Sequence, residues 1–338
     1  MLALVENRDV WAGAELTRQC LDPIMGFLKE ENVTEILMNR PNEVFVERLG
    51  ESHMSAYSIA EADHDWIERL CYLVAGTTGQ EVNKEKPILS ATLPSGERFQ
   101  CALDSVAPEG GAISIRKQVI KDMNLDGYEQ AGAFSSVRTD NYLGRSDDEA
   151  ALAELIKAGN IKEVLRFAVQ KRISIVVSGG TATGKTTFFN ALMKEIPEEE
   201  RLVTIEDAKE LRSPLPNTLS LLVSKGDQGM ARVTAQQLLE ASLRMRPDRI
   251  LLGELRGAEA FTFLQAVNTG HPGSITSVHA NTPRAAYQRL ALMVMQSGVD
   301  LTQEQLIAYL EETIPLVVQL ARGAGGKRYV SDIHFTKM

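Results

Sequence analysis

Long apolar runs, paired cysteines and excess positive charge are what this chain has least of. No stretch of its 338 residues approaches the ~20 consecutive apolar residues that span a bilayer. The apolar runs it does have, such as 173–177 and 250–252, are of strand length. The opening MLALVENRDV holds no basic region followed by an apolar core, so no signal peptide is expected. Three cysteines, Cys20, Cys71 and Cys101, lie far apart with no Cys-x-x-Cys pair. That excludes a zinc ribbon or finger and suits a reducing compartment. Basic residues are outnumbered 36 to 45, a formal net charge of −9, and no basic, aromatic-rich stripe is present. Specific nucleic-acid binding is therefore not expected. There is no internal repeat and no low-complexity tract. The expectation is a cytoplasmic chain whose membrane contact, if any, is peripheral.

What remains is ordinary globular composition, 44% hydrophobic and 24% charged. At roughly 150 residues per domain, the length predicts two domains. Leu16, Cys20, Leu21, Ile24, Met25 and Leu28 recur at helical spacing and predict one amphipathic N-terminal helix. Residues 35–38 and 44–47 flank the turn-rich Asn39-Arg-Pro-Asn, a hairpin signal. Trp66, Ile67, Leu70, Cys71 and Val74 predict a second helix. Residues 88–93 and 98–103 flank Pro94-Ser-Gly as another hairpin, and 112–116 is a further strand. Residues 1–120 thus form a small α+β domain. In 121–150 the apolar content drops and glycine, serine and charge rise, which predicts a linker. From 151 to 338, helical spacing resumes, then strands and helices alternate from Ile173 onward, the pattern of a mostly parallel sheet covered on both faces. Residues 317–321 and 329–333 flank Gly323-Ala-Gly-Gly as a closing hairpin.

One motif carries chemistry by spacing alone. Gly179-Gly180-Thr181-Ala182-Thr183-Gly184-Lys185-Thr186, followed by Thr187, fits G-x-x-x-x-G-K-[ST] after an apolar strand and before a helix. Glycines let successive backbone N–H groups turn inward around phosphate oxygens, and the following helix aims its positive end at the same oxygens. Lys185 supplies one ammonium to the β- and γ-phosphates, and the Thr186 hydroxyl is a Mg²⁺ ligand.

Such a site needs an acid at a neighbouring strand tip. Two qualify: Glu206, followed by Asp207, ends 202–205, and Glu254 follows 250–252. One can organise Mg²⁺, partly through water, while the other orients or deprotonates the attacking water. The sequence leaves open which does which. Two of the five histidines, His271 and His279, fall within nine residues. An isolated pair is most often structural, but beside a bound triphosphate an imidazole can bond the γ-phosphate and report its loss. Arg232, Arg244, Arg246, Arg249 and Arg256 cluster around the second acid strand, either salt-bridged to Glu240, Asp248 or Glu254 or facing a ligand. In the first domain, Arg98 follows a tight turn and Arg116 ends a strand. They gain a role only if that domain covers a nucleotide, where arginine neutralises transition-state charge.

Taken in order, these segments resemble the traffic ATPases of bacterial type IV secretion systems, within the type II/type IV secretion ATPase superfamily. The resemblance runs from about residue 16 to the end. It rests on 179–187, on Thr204-Ile-Glu-Asp207, which resembles the family's Asp box, and on 243–256, which resembles its Walker B region. It rests also on 268–281, which resembles its His box, and on 32–39, which is similar to its opening strand. The resemblance implies a hexameric ring whose subunits join an N-terminal α+β domain to a RecA-like P-loop NTPase domain, with ATP and Mg²⁺ between them. It implies that Arg98 and Arg116 reach the phosphates, in their own subunit or in a neighbour's. It implies that Glu206 and Glu254 serve Mg²⁺ and water, with Thr186 on the metal, and that His271 and His279 sense the γ-phosphate.

The implied function is Mg²⁺-dependent ATP hydrolysis that drives domain motion in a secretion or conjugation machine. The implied partners are other copies of the chain, other secretion-system ATPases and inner-membrane channel components, at the cytoplasmic face of the inner membrane. Two alternatives stand beside it. One is a pilus assembly, pilus retraction or type II secretion motor, although type II members commonly carry a tetracysteine zinc module that three cysteines cannot form. The other is a nucleotide-gated interaction switch with negligible turnover.

Overall fold

A computed structural model describes residues 10–119, 124–137, 146–223 and 231–338. The chain enters through α1 (Glu15–Cys20) and α2 (Met25–Lys29). These were expected as one helix. Pro23 lies in a 3-10 turn at Asp22–Ile24 between them, where a continuous helix would need the N–H that proline lacks. There follow β1 (Val33–Met38), β2 (Glu43–Arg48), β3 (Ser55–Ser58), α3 (His64–Thr77), β4 (Ile88–Thr92), β5 (Arg98–Ala102) and β6 (Ala112–Arg116). The six strands form one antiparallel sheet in the order β3-β2-β1-β6-β5-β4. The β1–β2 hairpin turns at Asn42, which adopts a left-handed φ of 65° that asparagine tolerates. Asp63 caps α3 by accepting from the Trp66 N–H, and Trp66, Ile67, Leu70, Cys71 and Val74 pack on the sheet in one apolar core.

The segment expected as a linker holds two helices among its described residues, α4 (Leu125–Gln130) and the start of α5 (Asp147–Lys157). The charged run after Ser146 is the first turn of α5. Ser146 and Glu149 form a reciprocal capping box, and acids are favoured at a helix N-terminus. Beyond come α6 (Ile161–Gln170), β7 (Ile175–Gly179), α7 (Lys185–Met193), β8 (Leu202–Glu206), β9 (Thr218–Leu222), α8 (Ala235–Ser242) and β10 (Arg249–Leu252). The chain closes with α9 (Glu259–Asn268), β11 (Ile275–Val278), α10 (Pro283–Met295), α11 (Gln303–Thr313), β12 (Leu316–Arg322) and β13 (Arg328–Phe335).

These strands form a second sheet, β13-β12-β7-β11-β10-β8-β9, parallel throughout except for the antiparallel edge strand β13. Alternate residues serve opposite faces. Ile175, Val177, Leu251 and Val318 pack under α5, α6 and α7, while Val176, Ile250, Leu252 and Val317 pack under α8 to α11. This is the RecA-like arrangement behind a smaller α+β domain.

The two sheets are joined by more than the connecting chain. Ala102, Val106, Ala107 and Ala112 belong to the same apolar core as Leu219, Leu221 and Leu238. The Leu222 N–H donates to the Val106 carbonyl at 2.8 Å. At the centre of the junction lies Arg201, 1% exposed. Its Nη1 donates to Asn39 Oδ1 at 2.6 Å and Asn217 Oδ1 at 2.5 Å, and its Nε to the Met245 carbonyl at 2.8 Å. Burial lowers its pKa to about 10, which still leaves it cationic at neutral pH.

Candidate phosphate-loop site

In a parallel sheet every strand delivers its last residue to one edge. Here β7 delivers Gly179 and the phosphate loop, β8 delivers Glu206, β10 leads to Gly253 and Glu254, and β11 leads to His279. The loop from Ala182 to Thr187, Glu206, Gly253, Glu254 and His279 line one cavity of about 380 Å³ with Asp207, Glu210, Arg256 and Arg328.

The loop has its shape for local reasons. Ala182 and Gly184 take left-handed φ values of 61° and 91°, turning the chain tightly before α7. The Thr183 hydroxyl donates to the Gly180 carbonyl at 2.9 Å. A side chain at 179 has no room: its Cβ would lie 2.5 Å from Thr183 Oγ1 and 3.0 Å from the Leu320 carbonyl oxygen. Lys185 opens α7 and folds back, donating to the Gly179 and Gly180 carbonyls at 3.0 and 3.3 Å. Burial pushes its ammonium below the ordinary lysine range, and the Glu254 charge opposes that shift.

Lys185 Nζ also lies 3.1 Å from His279 Nδ1, and His279 Nε2 lies 3.3 Å from Glu254 Oε1. One assignment satisfies both contacts. The ammonium donates to Nδ1, so that nitrogen is bare, and Nε2–H donates to the carboxylate. Glu254 Oε2 in turn accepts from Arg256 Nη2 at 3.2 Å, and Arg256 is ion-paired with Asp207. A chain of charge and hydrogen bonds thus runs Lys185–His279–Glu254–Arg256–Asp207 along the carboxyl edge.

Glu206 differs from Glu254. It is 6% exposed, and its Oε1 accepts from the Glu210 and Leu211 N–H groups at 3.0 and 2.8 Å. Its Oε2 is buried without a partner. Burial raises its pKa, against the pull of those two N–H groups. By pinning the loop it sets Glu210, whose Oε2 accepts from the Thr186 hydroxyl at 3.0 Å. The sequence did not single out Glu210, because nothing before folding ties a post-strand acid to Thr186. The donor set around Thr186 is all oxygen, which suits Mg²⁺. Among the described residues no three His, Cys, Asp or Glu side chains form a metal cage.

Three of the expected site residues lie elsewhere. Arg98, Arg116 and His271 line a separate cleft of about 1450 Å³ between the domains, with Glu35, Glu47, Arg244, Arg246 and Asp248. Within one chain, Lys185 and Thr186 therefore line one cavity and Arg98 and Arg116 another. His271 precedes β11 and His279 follows it, so four strand residues at about 3.3 Å each hold the two histidines at opposite sheet edges. His271 Nδ1 is 3.0 Å from the Ala266 carbonyl. Arg98 and Arg116 face each other across β5 and β6. Like charges in that register repel, and among the described residues Glu35, 3.5 Å from Arg116 Nε, is the acid that ion-pairs with either. The rest of the arginine cluster is divided. Arg249 is fully buried and paired with Glu200 at 2.6 Å, while Arg246 bonds Asp248 at 2.6 Å and also pairs with Glu47 across the domain junction.

Comparison with known proteins identifies the family. Residues 143–329 match the family model for type II/IV secretion system proteins. The chain is 38% identical over 328 residues to the type IV secretion system protein VirB11 of Bartonella henselae, covering 93% of this chain and 91% of that one. It is 38% identical over 323 residues to VirB11 of Brucella suis, and 34% identical over 308 residues to the Agrobacterium tumefaciens protein VirB11. The crystal structure of the VirB11 ATPase from the Brucella suis type IV secretion system, in complex with sulphate, superposes with a TM-score of 0.88. It covers 95% of this chain and 98% of that chain.

Proposed function

The chain belongs to the type II/IV secretion system protein family, in its VirB11 branch, and is a type IV secretion ATPase; from that premise we propose how its residues divide the work. Lys185 leaves the loop carbonyls and His279 for the β- and γ-phosphates, while the N–H groups of 180–187 and the N-terminus of α7 hold the phosphate oxygens. Thr186 would hold Mg²⁺, with Glu206 and Glu210 reaching it through water. When bound, the ion neutralises charge on the β- and γ-oxygens. Glu254, oriented by His279 and Arg256, positions and deprotonates the attacking water. Glu206, already committed to two backbone N–H groups, is the poorer candidate for that proton. The observation that carries this reading is the meeting of Lys185, His279 and Glu254 at one edge, which sets the phosphate-binding cation close to the carboxylate that activates water.

The active unit is a homo-hexameric ring in which a neighbouring copy presents Arg98, Arg116 and His271 to this chain's nucleotide. Two facts support that arrangement: a cross-strand pair of arginines, of which only Arg116 ion-pairs with an acid among the described residues, and its location at the sheet edge opposite the phosphate loop. A head-to-tail contact joins one edge to the other and closes as a ring. Other secretion ATPases and inner-membrane channel components are the partners, and the chain sits peripherally at the cytoplasmic face of the inner membrane. Among the described residues no helix is long and apolar enough to cross a membrane.

Phosphate release from the purified chain tests turnover, and Lys185→Ala should abolish most of it. Near-normal turnover in that variant would remove the mechanism, and negligible release from the wild type would favour a nucleotide-gated switch. Co-expression of Lys185→Ala with Arg116→Ala chains tests the neighbour's role. Each variant alone is inactive, but mixed rings hold some complete sites and regain part of the turnover. Mixed rings that stay at the level of the separate variants would return the arginines to their own chain.

A further inference from the structure

Arg328 lines the phosphate-loop cavity, yet among the described residues its guanidinium makes no hydrogen bond and no ion pair. The other cations there are committed, Lys185 to His279 and loop carbonyls, Arg256 to Asp207 and Glu254. Arg328 is held in place by the sheet. β12 runs parallel to β7 with Leu320 opposite Gly179, and β13 returns beside β12 with Tyr329 opposite Ala321. That register sets the first residue of β13 against the loop. The Cδ of Arg328 lies 3.0 Å from where a Gly184 Cβ would stand, so the bare glycine is what lets the side chain lie across the start of α7.

The strand order gives the polarity. β11, β10 and β8, which carry His279, Glu254 and Glu206, lie on one side of β7, and β12 and β13 lie on the other. A triphosphate whose γ end meets the acids therefore directs its α end toward Arg328. We propose that Arg328 grips the α-phosphate end of the bound nucleotide, contributing to ATP and ADP alike. This rests on the nucleotide site assigned above. Guanidinium is charged at all working pH values, and its donor fork matches phosphate oxygens. A residue at this end acts on retention of nucleotide rather than on cleavage.

Displacement of a fluorescent nucleotide by ADP and by ATP, on the full chain, tests it with Arg328→Gln, Arg328→Lys and Lys185→Ala. Arg328→Gln should weaken both nucleotides by the same factor, about fivefold to tenfold, the size of one charge-assisted bond at an exposed site. The loss should shrink in high salt and fall more on KM than on kcat. Arg328→Lys should recover part of it, and both variants should melt with the wild type because the residue is exposed. Unchanged affinities overturn the proposal. So does a loss confined to ATP, which would move Arg328 to the γ end, or a salt-independent loss, which would mean stacking on the base. Lys185→Ala separates the two levels. If it abolishes binding while Arg328→Gln binds normally, only this inference falls; if it too binds normally, the nucleotide site is wrong.

Discussion

Glu35→Gln should make the protein more stable at pH 8 and no more stable at pH 4.5. Glu35 sits on β1, 5% exposed, with Oε2 buried and unpartnered. Burial pushes its carboxyl from the ordinary 4.5 up to about 7, the Arg116 charge opposes this, and Glu47 adds to it. Arg116 is 66% exposed, so water screens its help. The folded chain therefore prefers the neutral acid. The stabilisation from holding that proton is fully present below pH 4.5, falls as pH rises, and is gone above about 7. Relative to low pH, the difference between about 7 and 4.5, at roughly 1.4 kcal/mol per pH unit, costs about 3 kcal/mol. Glutamine keeps the shape without the charge, at about 1 kcal/mol for an amide N–H short of partners. A net gain of about 2 kcal/mol at pH 8 corresponds, for a chain of this length, to a rise in Tm of about 3 °C. Thermal melts of both proteins at pH 8 and pH 4.5 measure it. A variant that melts below the wild type at pH 8 would show that the ion pair with Arg116 outweighs burial. A gain that does not vary with pH would remove the titration argument altogether.

Three further outcomes follow from contacts described above. Gly179→Ala forces a Cβ against Thr183 and the Leu320 carbonyl. A clash of that kind costs about 1–3 kcal/mol, so ADP affinity measured by calorimetry should fall on the order of tenfold. Glu206→Ala strands the Glu210 and Leu211 N–H groups and should lower stability by about 1–3 kcal/mol. Glu206→Gln keeps an acceptor for them and should melt at or above the wild type while ATP turnover drops, so melting curves and phosphate release separate the two roles. Arg249→Ala leaves Glu200 buried with only Arg172 at 3.4 Å, and urea unfolding should record a loss of about 3–5 kcal/mol.

The phosphate loop, Glu254 and His279 were legible because strand-end chemistry is local: an apolar run followed by a polar group fixes both the strand and the edge its tip reaches. The same logic holds for His271. A strand between two histidines carries one to each edge, so their nearness in sequence opposed their nearness in space. Glu210 and Arg328 were not legible. One is placed by a loop that Glu206 pins, the other by the register of a hairpin against β7, and neither constraint exists before the chain folds. The Arg201–Asn39–Asn217 cage joins residues 162 positions apart and carries no pattern. Strand β3, Ser-Ala-Tyr-Ser, has no apolar alternation and pairs only because β2 offers it an edge. By contrast α10 and α11 carried readable signals that went unused, Thr282-Pro283 and a capping box from Thr302 to Gln305.

The seated guanidinium of Arg201 has a mechanical meaning. Pulling it free would strand a full charge, two amides and a carbonyl without solvent, at a cost of about 3–5 kcal/mol. That cost holds the front and rear halves of each chain together at that depth.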